Sequence, residues 1–207
     1  MKSNLLRGAL HLVPILAVAT AAQASLGAPV QTDVTALCVS DQSDRDAKNP
    51  DWNGRQVDWS KVRPRDAQRR QQMLGLLHRG RLQSAADYAC AGLIFQHGES
   101  TEDARLAFSM FTLAAAIDPA TENVRYLEAA AWDRLMMRLH RPQWYGTQFV
   151  RVPGGGWTLW DVDESAVSDA DRASFDVDPI AATRKRVEQL NARKPSVSPE
   201  PASTPAP

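Results

Sequence analysis

Apolar side chains recur every three or four positions along most of this 207-residue chain, a spacing that gathers them on one face of an α-helix. The clearest stripe joins Ala86, Cys90, Ile94 and His97, and Gly98 follows it as a stop signal. Proline and capping residues separate the other stripes in a similar way. The pattern predicts six helices, over about 34–48, 64–78, 85–97, 101–117, 121–139 and 179–192.

The pattern changes after the fifth helix. Two segments, 147–152 and 157–162, have the composition of β-strands and flank a Pro-Gly-Gly-Gly turn at 153–156. Strand-like segments on either side of such a turn favour a β-hairpin. The predicted fold class is therefore mostly α: an antiparallel helical bundle of about five to six helices with one small C-terminal β-hairpin.

The two ends of the chain differ in composition from its middle. Lys2 and Arg7 precede an apolar run of about a dozen residues and a small-x-small site, the pattern of a cleavable export signal. The run is shorter than the roughly 20 residues of a membrane span, although an uncleaved anchor is the alternative. The prediction is a periplasmic or secreted protein cleaved after Ala24. Its parts are a signal peptide at 1–24, an N-terminal segment at 25–33, a single helical domain at 34–193 and a disordered Pro-rich tail at 194–207.

Charge and hydropathy narrow the possible partners. The chain has 24 basic and 24 acidic residues, and because two of the basic ones lie in the signal, the remainder carries a net charge of about −2. The basic residues are scattered rather than clustered, so nucleic acid is not a predicted partner. No later apolar run is long enough for a membrane span. The predicted partner is an unknown small molecule or an envelope protein.

The only cysteines are Cys38 and Cys90. In an oxidising compartment an even pair favours a disulfide, which in the chain-entropy model would stabilise the fold by about 4 kcal/mol. Two buried free thiols are the alternative, because cysteine is among the most buried residue types. Both alternatives stay open at the level of sequence.

Familiar catalytic motifs are absent from the sequence: there is no His-Glu-x-x-His, Gly-x-Ser-x-Gly or phosphate-binding glycine loop. The histidines that follow the signal, His78, His97 and His140, fall at the ends of separate predicted helices. That spacing does not suggest a metal site, and no metal or cofactor is predicted.

Four polar clusters stand where the helical pattern expects apolar residues or a change of element. An arginine on an apolar stripe needs a hydrogen-bond acceptor if it is buried, and the other polar residues of these clusters also need hydrogen-bonding partners if they are buried. The candidate site residues are Asp41, Gln42, Asp44 and Arg45; Gln96 and His97; Asp133 and Arg134; and Gln143, Tyr145, Thr147 and Gln148.

In their order, the motifs Asp-Gln-x-Asp-Arg, Gln-His, Asp-Arg and Gln-x-Tyr-Gly-Thr-Gln resemble the bacterial family called domain of unknown function 6624. The resemblance covers about 37–190. The family tends to have alanine where this chain has Gly98, and a basic pair after the hairpin where this chain has Asp171-Arg172. The resemblance implies that this chain shares these residue positions with the family, and it implies no established activity.

Several hypotheses account for these clusters. In the first, they form a structural network in which His97 is a satisfied core histidine and Arg134 pairs with Asp44 or Asp133. In the second, they form a pocket for a small polar or anionic ligand, with Arg134 binding the ligand and Gln143 and Gln148 recognising its hydrogen-bonding groups.

Two further hypotheses concern activity and partners. A small enzyme would use His97 as general acid or base, oriented by Asp44 or Asp133, with Tyr145 as a donor. A protein-interaction module would use the segment 85–119, which is similar to one tetratricopeptide hairpin, and a loop over about 51–63 that carries two tryptophans. Whether the protein is an enzyme stays open.

Overall fold

The computed structural model describes residues 33–46, 52–53 and 56–192, with side chains left out at 52, 53 and 56. The predicted signal peptide at 1–24, nearly all of the N-terminal segment at 25–33 and the predicted tail at 194–207 lie outside the described residues. Within them the fold is mostly α with a C-terminal β-hairpin, so the predicted fold class is confirmed.

The described part of the chain contains seven helices and two short antiparallel hairpins. The helices are α1 Val34–Ser43, α2 Trp59–His78, α3 Ala85–Gln96, α4 Thr101–Ile117, α5 Val124–Arg138, α6 Asp169–Ser174 and α7 Ile180–Ala192. The strands are β1 Trp52–Asn53, β2 Gln56–Val57, β3 Phe149–Arg151 and β4 Trp157–Leu159. In the C-terminal hairpin Val150 pairs with Thr158.

Helices α3 and α4 begin at matching capping boxes. Ser84 accepts a hydrogen bond from the backbone of Asp87, whose carboxylate accepts one from the backbone of Ser84. Ser100 and Asp103 do the same at the start of α4. Each box satisfies backbone N–H groups that have no partner within the helix. The box at Ser100 lies at the end of the short loop that joins the two helices, and His97 lies at the start of that loop.

The main core is formed by α1 to α4, with α3 at its centre. Ile94 and Phe95 of α3 are buried with Leu37 of α1 and Met73 of α2. At Gly92 a Cβ atom would lie 2.7 Å from the ring of Phe111, so the absence of a side chain lets α3 and α4 approach closely. This packing fixes the position of the C-terminal end of α3.

Cys38 of α1 and Cys90 of α3 form a disulfide, with their Cα atoms 5.6 Å apart. This separation lies within the usual range for the bond. Of the two alternatives that the sequence left open, the structure therefore has the disulfide. It joins the two helices whose ends contribute Asp41 and His97.

Several predicted boundaries were wrong. Helix α1 ends at Ser43, before the predicted end near 48, because the next residues turn tightly: the N–H of Arg45 bonds to the carbonyl of Gln42. Helix α2 begins five residues before Pro64, because Asp58 caps it by accepting from the backbone of Ser60. Pro64 therefore lies inside the helix, where it cannot donate the intrahelical bond to the carbonyl of Ser60.

The C-terminal third also differs from the prediction. Helix α5 begins at Val124 rather than near 121, after Asn123 at a positive φ of 55°. Both strands of the hairpin are shorter than predicted. Helix α6 was not predicted, although Ser168 and Asp171 form a capping box at its start. None of the described helices is both long and apolar enough to cross a membrane.

Candidate functional site

Most of the predicted polar residues fall into two clusters, and Gln96 and His97 lie between these clusters. The α1–α2 charge cluster consists of Asp41, Asp44, Arg45, Arg65, Asp66, Arg69 and His97. The loop latch consists of Asp133, Gln143, Thr147, Gln148 and Arg172. The structure thus brings together the members of each cluster, rather than placing all the candidates around one pocket.

The charge cluster pairs three arginines with three aspartates. Arg45 Nη1 lies 3.1 Å from Asp41 Oδ1, and its Nη2 lies 2.8 Å from Asp66 Oδ2. Arg69 is 4% exposed, and its Nη2 contacts Asp66 Oδ1 at 2.5 Å and Asp44 Oδ2 at 2.7 Å. Arg65 Nη2 lies 2.8 Å from the other oxygen of Asp44. Arginine forms several such bonds at once because its guanidinium carries five donors.

Three members of this cluster, Arg65, Asp66 and Arg69, were missed at the level of sequence. Val62, Asp66, Arg69 and Met73 are all buried and recur at helical spacing along α2. A charged pair within an apolar stripe is the signal that could have found them.

Electrostatics keep Asp41 and Asp44 of this cluster ionised. Burial acts to raise the pKa of Asp41, but the hydrogen bond and charge of His97 and the charges of Arg45 and Arg69 outweigh it, so the pKa lies below its ordinary value. Burial also opposes ionisation of Asp44, and its bonds to Arg65 and Arg69 again hold the pKa below the ordinary value.

His97 occupies the C-cap position of α3. Its Nδ1 lies 3.1 Å from Asp41 Oδ1, and Gln42 Nε2 donates to the other oxygen of Asp41 at 2.8 Å. The expectation that Asp44 or Asp133 would orient His97 was wrong, because both carboxylates are engaged elsewhere. Among the described residues nothing hydrogen-bonds His97 Nε2, and the side chain is 23% exposed whereas Asp41 is 1% exposed.

Two arginines of α5 also reach the end of α3. Arg134 Nη1 donates to the carbonyl of Gln96 at 3.3 Å, and Arg138 Nη2 donates to the carbonyl of Gly98 at 3.4 Å. The expected pairing of Arg134 with Asp44 or Asp133 was therefore wrong. The Nε atoms of both arginines are buried without a hydrogen bond. Burial, together with the neighbouring charge of Arg138, lowers the pKa of Arg134.

In the loop latch, Asp133 collects donors from the segment that follows α5. Its side chain is completely buried and accepts from the backbone N–H of Trp144, Tyr145 and Thr147 at 2.8–3.0 Å. The hydroxyl of Thr147 donates a fourth bond at 2.8 Å. Burial nevertheless dominates and raises the pKa of Asp133. The positive φ of Gly146, 84°, allows the tight turn that presents these groups.

The two glutamines of the motif bond to the protein itself. Gln143 Oε1 accepts from the backbone of Gln148 at 2.8 Å, and Gln143 Nε2 donates to the carbonyl of Trp160 at 2.9 Å. Gln148 Nε2 donates to the carbonyl of Ala130 at 3.1 Å, and Gln96 Nε2 approaches the same carbonyl at 3.4 Å. These bonds occupy both amide atoms of Gln143 and the amide nitrogen of Gln148, the two residues that were expected to recognise a ligand.

Arg172 completes the latch from the opposite side and was not among the predicted site residues. It donates to the carbonyls of Trp144 at 2.9 Å and Tyr145 at 3.2 Å, two residues whose N–H groups bond to Asp133. The sequence feature that could have identified Arg172 is the Asp171-Arg172 pair, which follows the hairpin. Tyr145 was expected to act as a donor, and its ring packs against Phe175 with centroids 5.0 Å apart.

The described residues contain no group of three or more histidine, cysteine or acidic side chains arranged to hold a metal ion. Comparisons of the chain with protein-family models, curated proteins and solved structures found no match.

Proposed function

We propose that this chain binds a small anionic ligand at the C-terminal end of α3, where Arg134 and Arg138 bond to the backbone carbonyls on either side of His97. One observation carries the proposal: among the described residues, neither arginine has a carboxylate within ion-pair distance, and each is observed to donate to one backbone carbonyl. A poorly hydrated cation without a counter-ion is unfavourable, and a bound anion supplies the missing charge.

The charge balance distinguishes this place from the charge cluster nearby. Arg45, Arg65 and Arg69 each contact an aspartate, so that cluster is neutralised from within. At the end of α3, the carbonyl dipoles offset only about half a unit of the two guanidinium charges. The lowered pKa of Arg134 has the same origin, since burial and Arg138 both disfavour its cationic form. An anion bound between the two guanidiniums would relieve this repulsion.

A specific observation favours a second candidate, acid–base catalysis on the bound anion. Asp41 holds Nδ1 of His97 at 3.1 Å and stays ionised, which leaves Nε2 available for proton transfer. A histidine held by a buried carboxylate on one nitrogen and available on the other is the usual arrangement of a general acid or base. His97 would be the catalytic residue and Asp41 the positioning residue.

Binding is tested by titrating inorganic phosphate, and separately acetate, into the protein at low ionic strength while amide NMR shifts are recorded. We expect saturable shifts at residues 96–98. Arg134→Gln should weaken binding by about tenfold or more, because a charge-assisted hydrogen bond contributes about 1.5–3 kcal/mol. Arg105→Gln is the matched control, since Arg105 is exposed and paired with Glu102.

Equal phosphate affinity in wild-type protein and the Arg134→Gln variant would refute the binding proposal. If that variant does not fold, Arg138→Gln tests the same prediction. Turnover is tested by incubating the protein with a pool of anionic metabolites. A product that forms with wild-type protein and Arg105→Gln, but not with His97→Gln, supports catalysis; identical product profiles exclude His97 from it.

We also propose that the chain is exported and belongs to the family named above. The disulfide supports export, because such bonds persist in oxidising compartments. The test is mass spectrometry of the protein recovered from a periplasmic or culture fraction. A mature N-terminus at Ser25 is expected, and an intact Met1 in that fraction would contradict cleavage.

A further inference from the structure

A small aromatic cavity lies apart from the proposed anion site. It has a volume of about 140 Å³. Its lining comes from α4, α5, the segment that follows α5 and the end of α6. Five of its seven lining residues are aromatic: Phe108, Trp132, Trp144, Tyr145 and Phe175. Trp132 packs at a tilt against Phe108 on one side and Trp144 on the other, with centroids 5.1 and 4.5 Å away.

One carboxylate faces this aromatic lining. Glu128 lines the cavity, and its side chain is only 12% exposed. Its Oε1 accepts from the hydroxyl of Thr112 at 3.0 Å, but its Oε2 is buried without a hydrogen bond. The indole Nε1 of Trp132, which lines the same cavity, is also buried without an acceptor. Two residues of the lining therefore each carry a buried polar atom without a hydrogen bond.

These two features select the charge of the occupant. The carboxylate repels an anion, and an uncharged apolar molecule would leave Oε2 unsatisfied. The faces of tryptophan, tyrosine and phenylalanine attract cations through their ring quadrupoles. Arg125 shows both attractions: its guanidinium lies 5.9 Å from the ring centre of Phe175 and 3.9 Å from Glu128 Oε2.

We propose that this cavity binds a compact methylated ammonium ion. The methyl groups would lie against the rings, and the carboxylate of Glu128 would attract the positive charge. An apolar cavity of about 150 Å³ holds a molecule the size of benzene, so the ligand is of choline size and not larger. Arg125 competes for the same carboxylate from the rim, since its side chain is 41% exposed.

Choline is the probe, titrated by calorimetry, and the indole N–H signal of Trp132 is followed by NMR. The control ligand is 3,3-dimethyl-1-butanol, which has the shape of choline with carbon in place of nitrogen and carries no charge. We expect saturable choline binding with a shift of the Trp132 signal, and binding of the neutral control at least about tenfold weaker. Equal affinities, or no saturable choline binding, would overturn the proposal whatever the variants do.

Two variants test the role of charge in opposite directions. Glu128→Gln keeps the oxygen that accepts from Thr112 and should weaken choline binding at least about tenfold, whereas Arg125→Gln removes the competing cation and should strengthen it. Glu122→Gln is the matched control at an exposed position and should change nothing. Glu128→Gln with unchanged choline affinity, or Arg125→Gln with weakened affinity, would contradict the proposal. If Glu128→Gln does not fold, Arg125→Gln and the neutral ligand still decide.

Discussion

The imidazole Nδ1 of His97 lies 3.1 Å from Oδ1 of Asp41, so a residue at the end of α3 is held by a carboxylate of α1. Because Asp41 is ionised and accepts this bond, neutral His97 should carry its proton on Nδ1 and leave Nε2 unprotonated. In Asp41→Asn this preference should weaken. Long-range nitrogen–hydrogen correlation spectra of the two ring nitrogens measure the tautomer. An unchanged tautomer ratio in the variant would mean that Asp41 does not orient His97.

The charge cluster should make stability depend on acidity. The pKa of Asp44 is below its ordinary value of 3.8 in the folded protein, so its ionised form stabilises the fold fully above that value. This contribution is lost as the pH falls through the lower, folded-state pKa. The difference in unfolding free energy between wild-type protein and Asp44→Asn should therefore be largest near neutral pH and shrink below about pH 3.8.

Urea unfolding from pH 7 to pH 2 measures this difference. Asp161→Asn is the control, because Asp161 is exposed and the structure shows no bond from its side chain. A gap between wild type and Asp44→Asn that stays constant down to pH 2 would contradict the role given to Asp44.

Replacing Asp133 should loosen the loop latch. In Asp133→Asn one oxygen becomes an NH2 group facing N–H and O–H donors that it cannot accept from. Losing bonds to a buried charge and leaving donors unsatisfied should cost about 2–4 kcal/mol, even though burial disfavours the charge itself. Urea unfolding gives the free energy, and Asp161→Asn is again the matched control. Destabilisation of the two variants by the same small amount would show that the latch contributes little.

The disulfide should stabilise the domain. Its cysteines are 52 positions apart, and closing a loop of that length contributes about 4 kcal/mol in the chain-entropy model. Unfolding of the Cys38→Ala, Cys90→Ala double variant should show a loss of about 2–4 kcal/mol relative to the oxidised protein. Thiol titration of the unfolded, unreduced wild-type protein should find no free thiol; two free thiols would contradict the bond.

Local signals made most helices predictable from sequence. The positions of α3 and α4 follow from Ser84 and Ser100, whose side chains cap the helices through contacts only three residues away. The early start of α2 was missed because Pro64 was interpreted as a first-turn residue, although Asp58 provides the cap. Helix α6 is short, and its capping box lies in a segment without apolar periodicity, so the pattern did not show it.

The candidate site was less predictable because its partners are distant in sequence. The sequence identified His97 and Asp41 separately, but nothing in the spacing pairs residues 56 positions apart, and Asp44 and Asp133 were chosen instead. Arg69 meets Asp44 across 25 positions in the same way. The aromatic cavity is lined by α4, α5, the segment that follows α5 and the residue after α6. The sequence shows these aromatic residues but not that the fold brings them together.

The bonds of Arg172 set a limit on how the domain can be divided. They reach back 27 and 28 positions to the carbonyls of Tyr145 and Trp144. A fragment that stops after the β-hairpin contains every residue of the Gln-x-Tyr-Gly-Thr-Gln motif but lacks the cation that holds two of its carbonyls. The motif should therefore reach its final geometry only when α6 is present, and expression fragments for any of these experiments need to extend through α6.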